Sequence, residues 1–161
     1  MDNYYKHLGM AIALMEQSPY HSTWPLYDVE IELVPPLLKD QFRFYFDEHD
    51  NPVAFVTWSA ISEAVKDKLA NQQGQMAWED WDSGDMLLFN DFVAPYGHTR
   101  LVLQDLRSLE WPHDIAFSLR RNMDASIAKV NYWWHSKDKH NAKLQQHKAS
   151  LNISNTAIVY P

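Results

Sequence analysis

The sequence predicts a mixed α/β layered domain, and three observations carry that prediction. Segments of helical spacing are interleaved with alternating or β-branched and aromatic segments, in the order α-ββ-α-β-α-β-β-α. The 161 residues are 46% hydrophobic and 14% aromatic, which suffices for a buried core and argues against disorder. No internal repeat, low-complexity tract or Gly/Ser linker interrupts the chain, so residues 1–161 read as a single domain.

Asn3 to Gln17 places Leu8, Ile12 and Met15 at close to helical spacing with Ala11 beside them. Ser18-Pro19 ends that helix, because a proline disfavours helix in the residue before it. Gln41–Phe46 is aromatic-rich and Pro52–Ser59 is β-branched and aromatic; the polar stretch Asp47–Asn51 between them makes the pair a β-hairpin. Ile61–Leu69 is a short amphipathic helix. Asp85–Val93 is a third strand, ended by Pro95 and Gly97, and His98–Leu109 is a helix that stops before Pro112. Ile115–Arg120 and Ile127–Trp134 are further strands, Lys137–Lys148 a polar helix and Asn155–Pro161 an extended tail.

The net charge of −7 conceals an asymmetry. Seven bases (Arg120, Arg121, Lys129, Lys137, Lys139, Lys143 and Lys148) stand against Asp124 and Asp138 between residues 120 and 148, a local +5 on a remainder of −12. Such a segment suits an acidic partner, or it is a solvated basic face balancing neighbouring acids. The acidic remainder argues against broad nucleic-acid binding. Absence of cysteine excludes disulfides and a cysteine nucleophile and fits a reducing cytoplasm. No apolar run approaches the ~20 residues that would span a bilayer, and Met1–Lys6, with Asp2, does not resemble a secretory signal.

Cofactor fingerprints are missing. Four glycines form neither a phosphate-binding loop nor a dinucleotide pattern, and there is no Gly-x-Ser-x-Gly elbow. His135, His140 and His147 are spaced five and seven residues apart, which does not stack them on one helical face, so they read as surface histidines and no metal is expected. More informative is Ser18-Pro19-Tyr20-His21-Ser22-Thr23-Trp24-Pro25, a loop histidine bracketed by prolines and aromatics. Histidine titrates near neutrality and suits general-base work, although a lone loop histidine is more often a surface residue. In Leu87–Gly97, Asp91 interrupts an apolar strand. It either faces solvent or orients a histidine, and spacing does not choose between the two.

With these residues in view, Ser18-Pro19-x-His21-x-x-Trp24-Pro25 resembles the N-terminal signature of the lysine acyltransferases that activate RTX toxins. Asn51-Pro52-Val53-Ala54-Phe55 with Trp58, Glu79-Asp80-Trp81-Asp82-Ser83-Gly84-Asp85, and Asp91-Phe92-Val93-Ala94-Pro95-Tyr96-Gly97 follow in the family's order. The resemblance runs from the first helix to about Val130. It implies a bacterial cytoplasmic enzyme, similar in fold to the GNAT acyltransferases, that moves a fatty acyl group from acyl carrier protein to internal lysines of an RTX protoxin. On the matched motifs His21 takes the place of the catalytic histidine and Asp91 that of the catalytic aspartate; Ser18 matches a serine of the same motif. A homodimer is implied as well.

A lysine amine, with a free pKa of about 10.4, must lose a proton before it attacks a thioester. His21 can take that proton, Asp91 can hold the imidazole, and backbone N–H groups around Gly97 are candidate oxyanion donors. Direct attack and an acyl-His21 or acyl-Ser18 intermediate both remain open. GNAT enzymes that use coenzyme A usually bind its pyrophosphate on a glycine-rich loop, and here only Gly97 follows the third strand. Acyl carrier protein lacks that pyrophosphate and is acidic, so no tightly bound cofactor is expected and Arg120, Arg121 and Lys129 become candidate docking residues. The rival readings are a non-catalytic protoxin adaptor and a small-amine acyltransferase using acyl-coenzyme A.

Overall fold

Helix α1 (Asp2–Glu16) opens the chain in the computed structural model, which describes residues 2–71, 74–109, 111–113, 115–122, 124, 126–133 and 156–159. Its buried residues Ala11, Leu14 and Met15 lie three and four apart and share one face. Ile12, expected on that face, is 42% exposed, because it falls about 100° round the helix from Ala11, beyond the edge of the stripe. The helix tightens as it ends: Gln17 and Ser18 donate to the carbonyls of Leu14 and Met15, at 3.2 and 2.9 Å, just ahead of Pro19.

No element is assigned from the sequence between Leu26 and Leu38. The structure nevertheless places there α2 (Leu26–Asp28), a π-helical turn (Val29–Leu33) and α3 (Val34–Leu38). The prolines sit in the first turn of α3, where a backbone N–H is not required. Val34, the last donor before them, reaches back five residues to the Val29 carbonyl, which widens the turn.

Strands β1 (Phe42–Phe46) and β2 (Pro52–Ile61) form the expected antiparallel hairpin, with Phe42 opposite Thr57 and Phe44 opposite Phe55. Asp47 closes the turn by accepting the backbone N–H groups of His49 and Asn51, each at 2.9 Å. Because β2 runs on to Ile61, the helix expected from Ile61 starts later, as α4 (Glu63–Ala70), with the Ser62 hydroxyl accepting the Val65 N–H. A 3-10 turn at Trp78–Trp81 precedes β3 (Met86–Val93); α5 (Thr99–Ser108), β4 (Ile115–Arg121), β5 (Ile127–Trp133) and β6 (Thr156–Val159) follow.

The strand order is β1-β2-β3-β4-β5-β6. Pairs β1/β2 and β4/β5 are antiparallel, while β3/β4 and β5/β6 are parallel, so the sheet is mixed and the α/β class stands. Parallel neighbours need a long crossover, and α5 lies within the one joining β3 to β4. The tail expected only to be extended supplies a strand, with Thr156 opposite Val130. The helix expected at Lys137–Lys148 lies outside the described residues.

Two compact units make up the chain, one from residues 1–58 and 90–108, the other from 59–89 and 109–161. In the first, Ala11, Leu14, Met15, Leu33, Phe55 and Val93 share a core, and the half-buried Trp24 packs on it. In the same unit Arg43 and the Tyr45 hydroxyl both bond Asp105, at 2.8 and 2.9 Å, fastening α5 to β1. Burial and the neighbouring Asp105 carboxylate push the Tyr45 hydroxyl far above its ordinary range. The second unit centres on the fully buried Trp81, packed with Ile61, Leu88, Phe117 and Tyr132. Each such side chain contributes about 1.5–3 kcal/mol through removal from water. No helix among the described residues is long and apolar enough to cross a membrane.

Candidate active site

The loop after α1 is built to hold one imidazole. Pro19 stops the helix, and His21–Thr23 forms a single 3-10 turn in which Trp24 N–H donates to the His21 carbonyl at 3.1 Å. Ser22 N–H bonds the Ser18 carbonyl at 2.9 Å, and the Thr23 hydroxyl bonds the Tyr20 carbonyl at 2.8 Å, so the loop carries its own hydrogen bonds. Trp24 anchors it in the core of the first unit. The His21 ring lies 4.9 Å from the Trp24 ring and 5.1 Å from Tyr20, which meets it edge-on.

Both ring nitrogens of His21 are engaged. Nδ1 lies 2.8 Å from Ser18 Oγ, and Nε2 lies 3.2 Å from Asp91 Oδ1. Asp91 comes from β3, 70 residues along the chain, and its carboxylate turns inward: the His21 and Asp91 side chains are 9% and 11% exposed. Of the two orientations left open by the sequence, the structure has the one that meets the histidine. The other carboxylate oxygen, Oδ2, accepts the Thr57 hydroxyl at 3.2 Å, and Asp91 N–H donates back to Thr57 Oγ1 at 3.1 Å. This carboxylate is therefore held by partners on both oxygens, as a shielded charge requires.

These contacts set the direction of the relay. A carboxylate only accepts, so with Asp91 ionised the neutral imidazole carries its proton on Nε2. Nδ1 is then the basic nitrogen, and the Ser18 hydroxyl donates to it. The line Ser18, His21, Asp91 can remove a proton at Nδ1 while the aspartate stabilises the imidazolium that forms.

Thr57 was missed by sequence reasoning, since a threonine in a strand is ordinary; the one signal was a hydroxyl within the otherwise apolar run Val53–Trp58. Gly97 lies in the turn between β3 and α5 with φ of 84°, a conformation that favours glycine. Arg120, Arg121 and Lys129 fall in the second unit, on β4 and β5, where Arg120 stands directly opposite Lys129. Like charges facing across an antiparallel pair cost stability unless an anion joins them. Among the described residues no group of three His, Asp or Glu side chains is placed to hold a metal ion; His135, His140 and His147 lie outside them.

A mixed α/β protein with a serine, a histidine and an aspartate in line is equipped for general-base chemistry on a nucleophile, the class to which acyl transfer belongs. The chain belongs to the RTX toxin acyltransferase family, whose model matches residues 2–134. It is 31% identical over 133 residues to the lysine-acyltransferase RtxC of Vibrio cholerae serotype O1, covering 78% of this chain and 87% of that protein. It is 28% identical over 129 residues to the leukotoxin-activating lysine-acyltransferase LtxC of Aggregatibacter actinomycetemcomitans, covering 80% and 76%. A protein-lysine myristoyltransferase HlyC of Escherichia coli is 28% identical over 144 residues, covering 89% and 78%.

Proposed function

We propose that this chain transfers a fatty acyl group from the phosphopantetheine thioester of acyl carrier protein to the ε-amines of internal lysines of an RTX protoxin, and so activates the toxin. The observation that carries the reading is the His21–Asp91 pair, with Ser18 on the second ring nitrogen, in a member of this family. His21 takes a proton from the lysine ammonium at Nδ1 and releases it to solvent. The amine then attacks the thioester carbonyl, and the C–N bond forms. A second amine proton passes through His21 to the departing thiolate as the C–S bond breaks. The products are an amide and a free thiol, with one proton released overall.

Ser18 occupies Nδ1, so the amine either displaces the hydroxyl or passes its proton through it; an acyl group carried on Ser18 or His21 is the alternative route. Backbone N–H groups around Gly97 supply the oxyanion donors in this reading. The facing cations Arg120 and Lys129, with Arg121, receive the acidic carrier. The setting is the bacterial cytoplasm and the working form a homodimer, which sedimentation of the purified protein tests.

The deciding experiment mixes the protein with fatty-acyl carrier protein and an RTX protoxin and weighs the protoxin peptides. Acyl mass on lysine, lost in a folded His21→Ala variant, is the expected result. Complex formation without added mass would make the protein an adaptor, and acylation of small amines from acyl-coenzyme A alone would make it the other rival. A folded His21→Ala protein transferring at near wild-type rate would end the mechanism.

A further inference from the structure

We propose that Thr57 is a positioning residue for acyl transfer: its hydroxyl sets the direction of the Asp91 carboxylate and thereby keeps Oδ1 on the histidine. The inference rests on the reading of His21 and Asp91 above. Thr57 is fully buried, within a strand whose neighbours Val53, Ala54, Phe55 and Val56 are also buried. Packing alone would be met by valine, which has nearly the same shape and no hydroxyl to satisfy. The hydroxyl is used twice on one residue. It donates its single hydrogen to Asp91 Oδ2 at 3.2 Å and accepts Asp91 N–H at 3.1 Å.

Those two bonds grip Asp91 at both ends of its side chain. The backbone end is fixed by the N–H contact and the far end by Oδ2, so rotation about the intervening bonds is closed off. With Oδ2 taken, Oδ1 is the oxygen left facing His21 Nε2 at 3.2 Å. Remove the hydroxyl and the carboxylate loses a charge-assisted hydrogen bond and its fixed rotamer together. The histidine then loses the partner that selects its tautomer.

The test compares Thr57→Val, which keeps shape and loses the hydroxyl, with Thr57→Ser, which keeps the hydroxyl and loses the methyl. Lysine acylation of an RTX protoxin by fatty-acyl carrier protein is followed by mass, with Tm measured alongside. Thr57→Val should lower kcat about 10–100-fold, the worth of a hydrogen bond to a charged group, with KM for both substrates little changed. Thr57→Ser should retain kcat within about threefold, whatever its Tm, since it keeps the bond that Thr57→Val loses. The double variant Thr57→Val/Asp91→Asn should be no slower than Asp91→Asn, because both act through one carboxylate. A merely structural threonine predicts otherwise: losses that follow Tm, no advantage for serine, and defects that multiply in the double variant. Any of those results, or a folded Thr57→Val with wild-type kcat, overturns the proposal. Should Thr57→Val not fold, Thr57→Ala replaces it and is read against serine in the same way. Wild-type turnover by Asp91→Asn would instead remove the reading of the site itself, whereas an impaired Asp91→Asn beside an unimpaired Thr57→Val removes Thr57 alone.

Discussion

Replacing Asp91 by asparagine keeps the outline of the side chain and discards its charge. Two donors converge on the carboxylate, His21 Nε2–H and the Thr57 hydroxyl, and an amide offers one accepting oxygen where the carboxylate offers two. If the amide NH2 faces His21, the imidazole must move its proton to Nδ1, and the basic nitrogen is gone. If it faces Thr57, His21 keeps only a neutral acceptor. At 3.2 Å and an effective dielectric of about 20, a carboxylate and an imidazolium attract by about 5 kcal/mol. Desolvation offsets much of that, and charge-assisted hydrogen bonds net about 1.5–3 kcal/mol. Loss of charge alone therefore lowers kcat by about 10–150-fold. A flipped tautomer deepens the loss toward the general-base limit of about 10²–10⁴. The assay is acyl transfer to protoxin lysines read by mass, with Tm measured on the same preparation. A folded Asp91→Asn protein within about twofold of wild-type turnover would refute the reasoning, since no route through a charged His21–Asp91 pair survives that result.

Ser18→Ala removes a neutral hydrogen bond and should cost about 2–10-fold in kcat, with no acyl-serine trapped on rapid quenching; a loss as deep as that of His21→Ala would put the acyl group on Ser18. At Gly84→Ala the new Cβ would stand 2.6–2.7 Å from backbone atoms of Ile61 and Ser62. The strand end must shift, for about 2 kcal/mol and a fall in Tm of about 4–8 °C by thermal denaturation, and an unchanged Tm refutes the clash. Arg120→Glu turns a like-charge pair with Lys129 into an ion pair, so Tm should hold or rise slightly while the KM for acyl carrier protein rises and becomes less salt-dependent. Unchanged donor kinetics would return those bases to a solvated face. Burial opposes ionisation of Asp80, but the Lys68 hydrogen bond and the Ala77 N–H outweigh it and hold its carboxyl below the ordinary range. Its stabilising effect is present above the ordinary carboxylate range and lost as pH falls through the lowered folded value. The Tm difference between wild type and Asp80→Asn should therefore shrink as pH falls below about 4.

The elements that the sequence displays are those whose signal is local. The hairpin at Asp47–Asn51 has its turn chemistry and its aromatic and β-branched flanks in one window, and β3 and α5 have theirs on either side of Pro95 and Gly97. The run Leu26–Leu38 is hidden because Pro35-Pro36 normally breaks helices, and only the i+5 bond at Val34 shows how the backbone absorbs them. Strand β6 is short and gains its ladder from β5, a partner that no local pattern announces. His21 and Asp91 stand out locally, as a loop histidine between prolines and an acid in an apolar strand, and the motif resemblance adds Ser18, but spacing does not say that they touch. That fact depends on where the loop after α1 lies against β3. Thr57 carries no motif, and the bonds that single it out come from Asp91, 34 residues away.

The 70 residues between His21 and Asp91 also set a timetable. A ribosome adding about 5–20 residues per second needs roughly 4–14 s to supply the aspartate after the histidine has been made. Through that interval the imidazole loop has only its local bonds and rings to keep its shape. Closing a loop of that length costs about 4 kcal/mol of chain entropy. The relay can assemble only after β3 has emerged to repay it. A nascent chain that already displays the His21 loop therefore lacks the aspartate contact, and the line from Ser18 to Asp91 cannot be complete until synthesis has passed the middle of the chain.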